Sequence, residues 1–316
     1  MRMKSVIGLI LRVVVAVTSL LFIGIKVHRQ LSDGLPSGFS DMSAGPLLVA
    51  IALVPVNWLV ETFKWQRLTA HLQQLPILQA AKSVLSGLAV SMLTPNRIGD
   101  FAGRITTLNP GNRTAGAMAA FVGGYAQMLA IAMLGVFAFC LKPVLPDFLL
   151  WTSSCRVLTM TVLIVAIVVL VAIYFFAGET AAKFKFTHWP WLEKFVSSAG
   201  QHTKAQLATT LALSFIRSGV FMTQLWLMLD AAGVKLDVCQ AFNTISIMYC
   251  FVSIVPTFAL AEWGVRGSMA LLFIAPLGGN TSQILAATIV LWLINVAVPA
   301  TIGAIWGTLP AKQDKC

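Results

Sequence analysis

The stretch TPNRIGDFAGR, Thr94–Arg104, sets two arginines, an aspartate, two glycines and a proline inside a largely apolar chain. A matching stretch, PTFALAEWGVR, lies at Pro256–Arg266. Each holds a proline, then an acid, then an arginine four residues after the acid. Asp100 and Arg104 stand 162 residues before Glu262 and Arg266. At i, i+4 the acid and the arginine share one helical face, so each pair can neutralise itself. A lone charge in mid-bilayer costs at least ~2.5–3.5 kcal/mol, which makes such pairing expected.

Working outward, the chain has 316 residues, 58% apolar and only 10% charged, with a net charge of +11. Mean hydropathy is +0.85. Several runs reach the ~18–20 apolar residues that cross a bilayer. We read full spans near residues 5–25, 44–62, 114–140, 153–176, 205–229 and 283–308. Two further regions, 78–108 and 238–277, are apolar runs broken by the Pro- and charge-bearing stretches above. The apolar start carries Arg2 and Lys4 and lacks a small-x-small cleavage site, so it reads as a retained first helix.

If both broken regions are re-entrant, Arg2, Lys4, Lys64, Arg67, Arg97, Arg104, Arg113, Lys183, Lys185, Lys194, Lys204, Lys312 and Lys315 fall on one side. Only Lys26, Arg29, Lys142 and Lys235 fall on the other. That bias places both termini in the cytoplasm. It also accounts for the basic net charge, together with anionic headgroups, without nucleic acid. Of eleven acids, nine are read in loops, at span ends or in the tail; Asp100 and Glu262 are the exceptions.

The spans that precede the two broken regions start about 161 residues apart and run in opposite directions. Broken apolar segments at matching places in two halves are the sequence pointer to a transport site. The expected fold is an all-α polytopic membrane protein. It has about six full transmembrane helices plus two re-entrant helical hairpins in an inverted-topology repeat. Residues 1–316 form a single transmembrane domain, with repeat halves at about 44–140 and 205–308. Pro95, Asn96, Gly99, Pro256 and Gly264 mark the hairpin tips.

At these residues the chain resembles the transmembrane region of lysylphosphatidylglycerol synthase/flippase proteins, over roughly residues 5–308. TPNRIGDFAGR is similar to the family's Pro-Gly-Arg-x-Gly-Glu-x-x-Arg signature. VPTFALAEWGVRGS is similar to its second signature, a proline, then several residues, then Gly-x-Gly-Val-Arg-Glu. Asn96 stands where glycine is usual, Asp100 where glutamate is, and Gly267 where an acid follows the arginine. The resemblance implies lipid translocation. Because the chain ends shortly after its last span, translocation is expected here without lipid synthesis.

The expected substrate-binding residues are Arg97, Asp100, Arg104, Arg217, Glu262 and Arg266. The arginines would hold a phosphate-bearing headgroup through paired hydrogen bonds. Asp100 and Glu262 would meet a cationic group or carry protons. The bland reading of the acid–arginine pairs is a salt bridge that holds a hairpin tip, and Arg217 has the same pair of readings. Asn57, Gln127, Gln224, Asn243 and Asn295 read as interhelical hydrogen-bond glue. Glu61–Leu72 and Trp189–Phe195 read as amphipathic cytoplasmic segments, Trp65 as part of the interfacial belt, and His71 and His202 as solvated. No Gly-rich nucleotide loop, Ser-x-x-Lys or His-Glu-x-x-His pattern occurs, so neither enzyme activity nor a cofactor or metal is expected. The expectation is a lipid flippase in a bacterial inner (cytoplasmic) membrane. The alternative is a non-catalytic membrane partner of a lipid-modifying or glycosyl-transferring enzyme.

Overall fold

Capping chemistry sets where several helices begin. In the computed structural model, Thr203 and Gln206 form a reciprocal box: Gln206 N donates to Thr203 Oγ1 at 3.2 Å, and Thr203 N donates to Gln206 Oε1 at 3.0 Å. Asp237 and Gln240 repeat it at 2.9 and 3.2 Å. The structure describes residues 42–92, 94, 97–141, 153–181, 197–255 and 262–308. The expected first span at 5–25, the tip residues Pro95, Asn96 and Pro256, and Trp189–Phe195 lie outside them.

The described chain is α-helical. The first half comprises α1 (Ala44–Thr69), α2 (Ile77–Ser91), α3 (Gly99–Ile105) and α4 (Arg113–Leu141). Helix α5 (Ser153–Ala181) follows. The second half comprises α6 (Lys204–Ala231), α7 (Val238–Ile254), α8 (Glu262–Ile274), α9 (Thr281–Trp292) and α10 (Val298–Thr308). A π-helical segment, Leu293–Ala297, joins α9 to α10. Five stretches are long and apolar enough to cross a membrane: Ala44–Thr69, Pro110–Leu141, Val157–Phe176, Lys204–Ala231 and Thr281–Trp306. They match five of the six expected spans, and the sixth is the one outside the described residues. Val157, Leu158, Val162 and Val168 of α5 each expose more than half their surface, as suits contact with lipid.

One expected boundary is corrected. The apolar run read as ending at 62 continues as helix to Thr69, and one face of its last turns is buried in the protein: Glu61, Thr62, Lys64, Trp65, Leu68 and Thr69 are shielded, while Phe63 and Arg67 are exposed. The sequence suggests an end there because charged residues appear, but Glu61 and Lys64 have partners inside the protein.

The halves pack in the same pattern and in opposite directions. Their lead helices, α1 and α6, lie side by side: Ser43 N donates to Ala231 O at 2.8 Å, Gln224 Nε2 to Ala50 O at 3.0 Å and Arg217 Nε to Asn57 Oδ1 at 2.8 Å. Numbers rise along one helix as they fall along the other, so the two are antiparallel. In each half two short helices follow. Helices α2 and α3 form an antiparallel hairpin in which Ser83 Oγ donates to Arg104 O at 2.7 Å. Gly87 and Gly103 meet at its centre, where a Cβ on either would strike the other helix. Helices α7 and α8 pack together through the Phe251 and Phe273 rings, 5.2 Å apart.

The closing helix of each half then crosses onto the other half. Gly135 of α4 lies against Ser246 and Cys250 of α7, and Gly303 of α10 lies against the Leu85 backbone of α2. Small residues suit these crossings, because lipid provides no hydrophobic drive between helices and close van der Waals contact has to replace it.

Candidate functional site: a charged cavity between the halves

Glu61 sits at the centre, 3% exposed. Its Oε2 lies 2.8 Å from Lys64 Nζ and 3.0 Å from Arg217 Nη1, and its Oε1 lies 2.7 Å from Arg104 Nη1. The carboxylate thereby joins α1, the α2–α3 hairpin and α6. Arg104 also grips Asp100, with Nε donating to Oδ1 at 3.0 Å and Nη2 lying 2.8 Å from Oδ2. The i, i+4 pair expected from sequence is thus formed. The Arg104 guanidinium lies 5.7 Å from the Trp65 ring centre, so Trp65 is fully buried and is not part of an interfacial belt.

A polar relay leads away from Arg217. Its Nε donates to Asn57 Oδ1, which leaves Asn57 Nδ2 to donate to Asn295 Oδ1 at 3.3 Å. That order fixes both amide orientations. Asn295 Nδ2 is left over. It is buried and has no hydrogen-bond partner among the described residues. Gln127 closes the other side, donating to Ser218 Oγ at 2.8 Å and accepting from Arg217 Nη1 at 3.4 Å. Asn57, Gln127 and Gln224 all bond across helices, as interhelical glue does.

The cavity beside this network has a volume of about 40 Å3, and Arg97, Arg217, Arg266 and Asn295 are among its lining. Both halves contribute. That volume holds on the order of three waters. Asn295 belongs to the π-helical segment, a widened turn of the kind often found at functional sites. Arg97 adopts φ 57°, the single positive φ outside glycine among the described residues. An arginine in the left-handed region is strained and persists only where its surroundings hold it.

The structure brings Arg97, Arg217 and Arg266 to the cavity and sets Asp100 and Arg104 beside it in the buried network. Glu262 opens α8, and its side chain lies outside the described residues. Gly99 is packed tightly: its N donates to Thr94 Oγ1 at 2.7 Å, and a Cβ would meet the Val90 carbonyl. A Cβ on Gly264 would meet nothing within 4 Å.

Sequence reasoning missed Glu61 and Lys64, reading one as a span-end acid and the other as a cytoplasmic cation. The available signal was spacing: Asn57, Glu61, Lys64 and Leu68 recur at three and four residues and share one helical face. His202 is a second correction. It is 8% exposed rather than solvated, and its ring meets that of His71 edge-on at 4.8 Å. Among the described residues no group of three or more His, Cys, Asp or Glu is arranged to hold a metal.

Two matched helical halves with a charged cavity between them define a multi-pass membrane protein. The chain belongs to the lysylphosphatidylglycerol synthase transmembrane-region family, whose sequence model matches residues 9–303. That membership links it to lipid handling. No curated protein matches the chain.

Proposed function

We propose that this protein translocates a phosphate-bearing lipid across the inner membrane, with the headgroup passing through the cavity between the halves. One observation carries the reading: three arginines from separate elements, with the spare amide of Asn295, line one buried space. Guanidinium is the side chain that matches phosphate with parallel hydrogen bonds, and three of them converge on this space. Arg97, Arg217 and Arg266 take the headgroup. Arg104, already shared between two carboxylates, sets the position of Glu61 and Asp100.

The test is reconstitution into liposomes that carry a fluorescent phosphate-headgroup lipid, with chemical quenching of the outer leaflet. Wild type moves the probe between leaflets, and Arg266→Gln slows it at least about tenfold while folding is kept, as loss of one charge-assisted contact predicts. If wild-type protein leaves the probe where it was added, translocation fails. The reading as a non-catalytic membrane partner of a lipid-modifying or glycosyl-transferring enzyme then takes its place.

A further inference from the structure

A second cavity, of about 260 Å3, lies between α4, α5 and the start of α6, apart from the charged network. Phe121, Tyr125, Tyr174 and Phe175 line it. Phe121 and Tyr125 stack at 6.4 Å, and Tyr125 and Tyr174 at 5.8 Å. Both phenols are engaged, Tyr125 donating to Leu170 O at 3.1 Å and Tyr174 to Leu207 O at 3.0 Å. The tyrosines therefore offer the cavity their rings and not their hydroxyls.

Two other groups give the cavity its chemistry. His202 lines it, nine-tenths buried, and neither ring nitrogen has a partner among the described residues. Burial, with His71 beside it, holds its pKa down to about 4, so at neutral pH the ring is uncharged and one nitrogen is an open acceptor. Glu179 adds a carboxylate, and among the described residues no lysine or arginine is in the lining. A plain hydrocarbon would leave the buried imidazole unsatisfied, at a cost of roughly 1–3 kcal/mol. An ammonium group satisfies all three features: ring faces, an acceptor nitrogen and a carboxylate. The chain supplies its own example at the rim, where Lys204 Nζ lies 4.6 Å from the Phe176 ring centre and 3.5 Å from Glu179 Oε1.

We propose that this pocket binds an organic ammonium group carried on an apolar stem, with the cation held by Glu179, His202 and the aromatic rings. Lys204 competes for the same carboxylate. The site stands independently of the translocation reading, since it shares no lining residue with the central cavity.

The experiment follows thermal unfolding of the full chain in phosphatidylglycerol nanodiscs, with octylammonium, octanol or phosphatidylethanolamine added. A ligand of the folded state raises the midpoint in proportion to its occupancy. Octylammonium raises it and octanol does not. Glu179→Gln weakens the apparent affinity about tenfold, and Lys204→Gln strengthens it. Glu179 is exposed, so its replacement leaves the fold intact. His202→Phe loses binding and His202→Gln, which keeps an acceptor, retains most of it. A rise with phosphatidylethanolamine that is lost in Glu179→Gln identifies a lipid source. A rise with octylammonium alone identifies a soluble amine. Equal shifts with octanol and octylammonium, a shift unchanged in Glu179→Gln, or no shift with any addition overturns the proposal.

Discussion

Glu61 on α1 and Arg217 on α6 meet at 3.0 Å, and through that contact each half of the chain supplies a charge that the other neutralises. The pair is buried, and α1 and α6 run antiparallel where it forms. Its surroundings determine what happens when either member is altered.

Glu61→Gln leaves Lys64, Arg104 and Arg217 without their shared carboxylate. Removing one partner from a buried ionic cluster costs about 3–5 kcal/mol, because the remaining charges stay buried. Unfolding in detergent should show a loss of that size. Adding Lys64→Met to the same chain should recover part of it, so the double variant loses less than the two single losses combined. Strict additivity would show that Lys64 and Glu61 are not coupled.

Close approach of α2 and α3 depends on Gly87 and Gly103. Alanine at 87 would push into Asp100 and Arg104, and alanine at 103 into the Ser86 carbonyl and the Gly87 backbone. Each should cost about 1–3 kcal/mol as overpacking. Gly219→Ala is the control. A Cβ there meets nothing within 4 Å, and alanine favours a helix over glycine by up to about 1 kcal/mol. Stability measured for the three variants should separate in that order.

Asn295→Asp puts a carboxylate where the spare amide now lies. A resident anion beside Arg217 competes with an incoming phosphate, so lipid movement should fall at least about tenfold, with stability kept or raised. Arg97→Gln should slow movement to a similar degree. Full activity in Asn295→Asp liposomes would show that the headgroup does not use this cavity.

His202 gives a pH signature outside the membrane spans. Its folded pKa is about 4, against 6.5 for an ordinary histidine, with burial the larger cause and His71 the second. Between those values the unfolded chain binds the proton and the folded chain does not. The stability tied to a neutral His202 is therefore complete above about pH 6.5 and is lost as pH falls toward 4. His71 is lowered as well, chiefly by burial, and adds in the same direction. Unfolding midpoints between pH 7 and pH 4 should fall less steeply for His202→Gln.

Much of the fold is legible in the sequence because a bilayer imposes a length on every span. Runs at 114–140 and 205–229 correspond to helices at Arg113–Leu141 and Lys204–Ala231, and the two broken regions to α2–α3 and α7–α8. Arg217 also stands out, being a charge inside an apolar run. Glu61 is harder to read. Its position is ambiguous while its partners are unknown, and two of them are 43 and 156 residues away at Arg104 and Arg217. A charge at the edge of an apolar run looks solvated until a distant segment folds over it. Asn295 fails for a related reason: its role depends on which amide orientation Arg217 dictates through Asn57, a relay that crosses three helices.

The glycine crossings at Gly135 and Gly303 have a mechanical meaning. Each fastens the last helix of one half to the first hairpin helix of the other, with no side chain on the glycine to act as a cushion. A hairpin that tilts must drag along a helix belonging to the opposite half. Neither half can swing as an independent arm, and the crossings behave as a pair of linked hinge pins. Any widening of the central cavity is then shared by both hairpins.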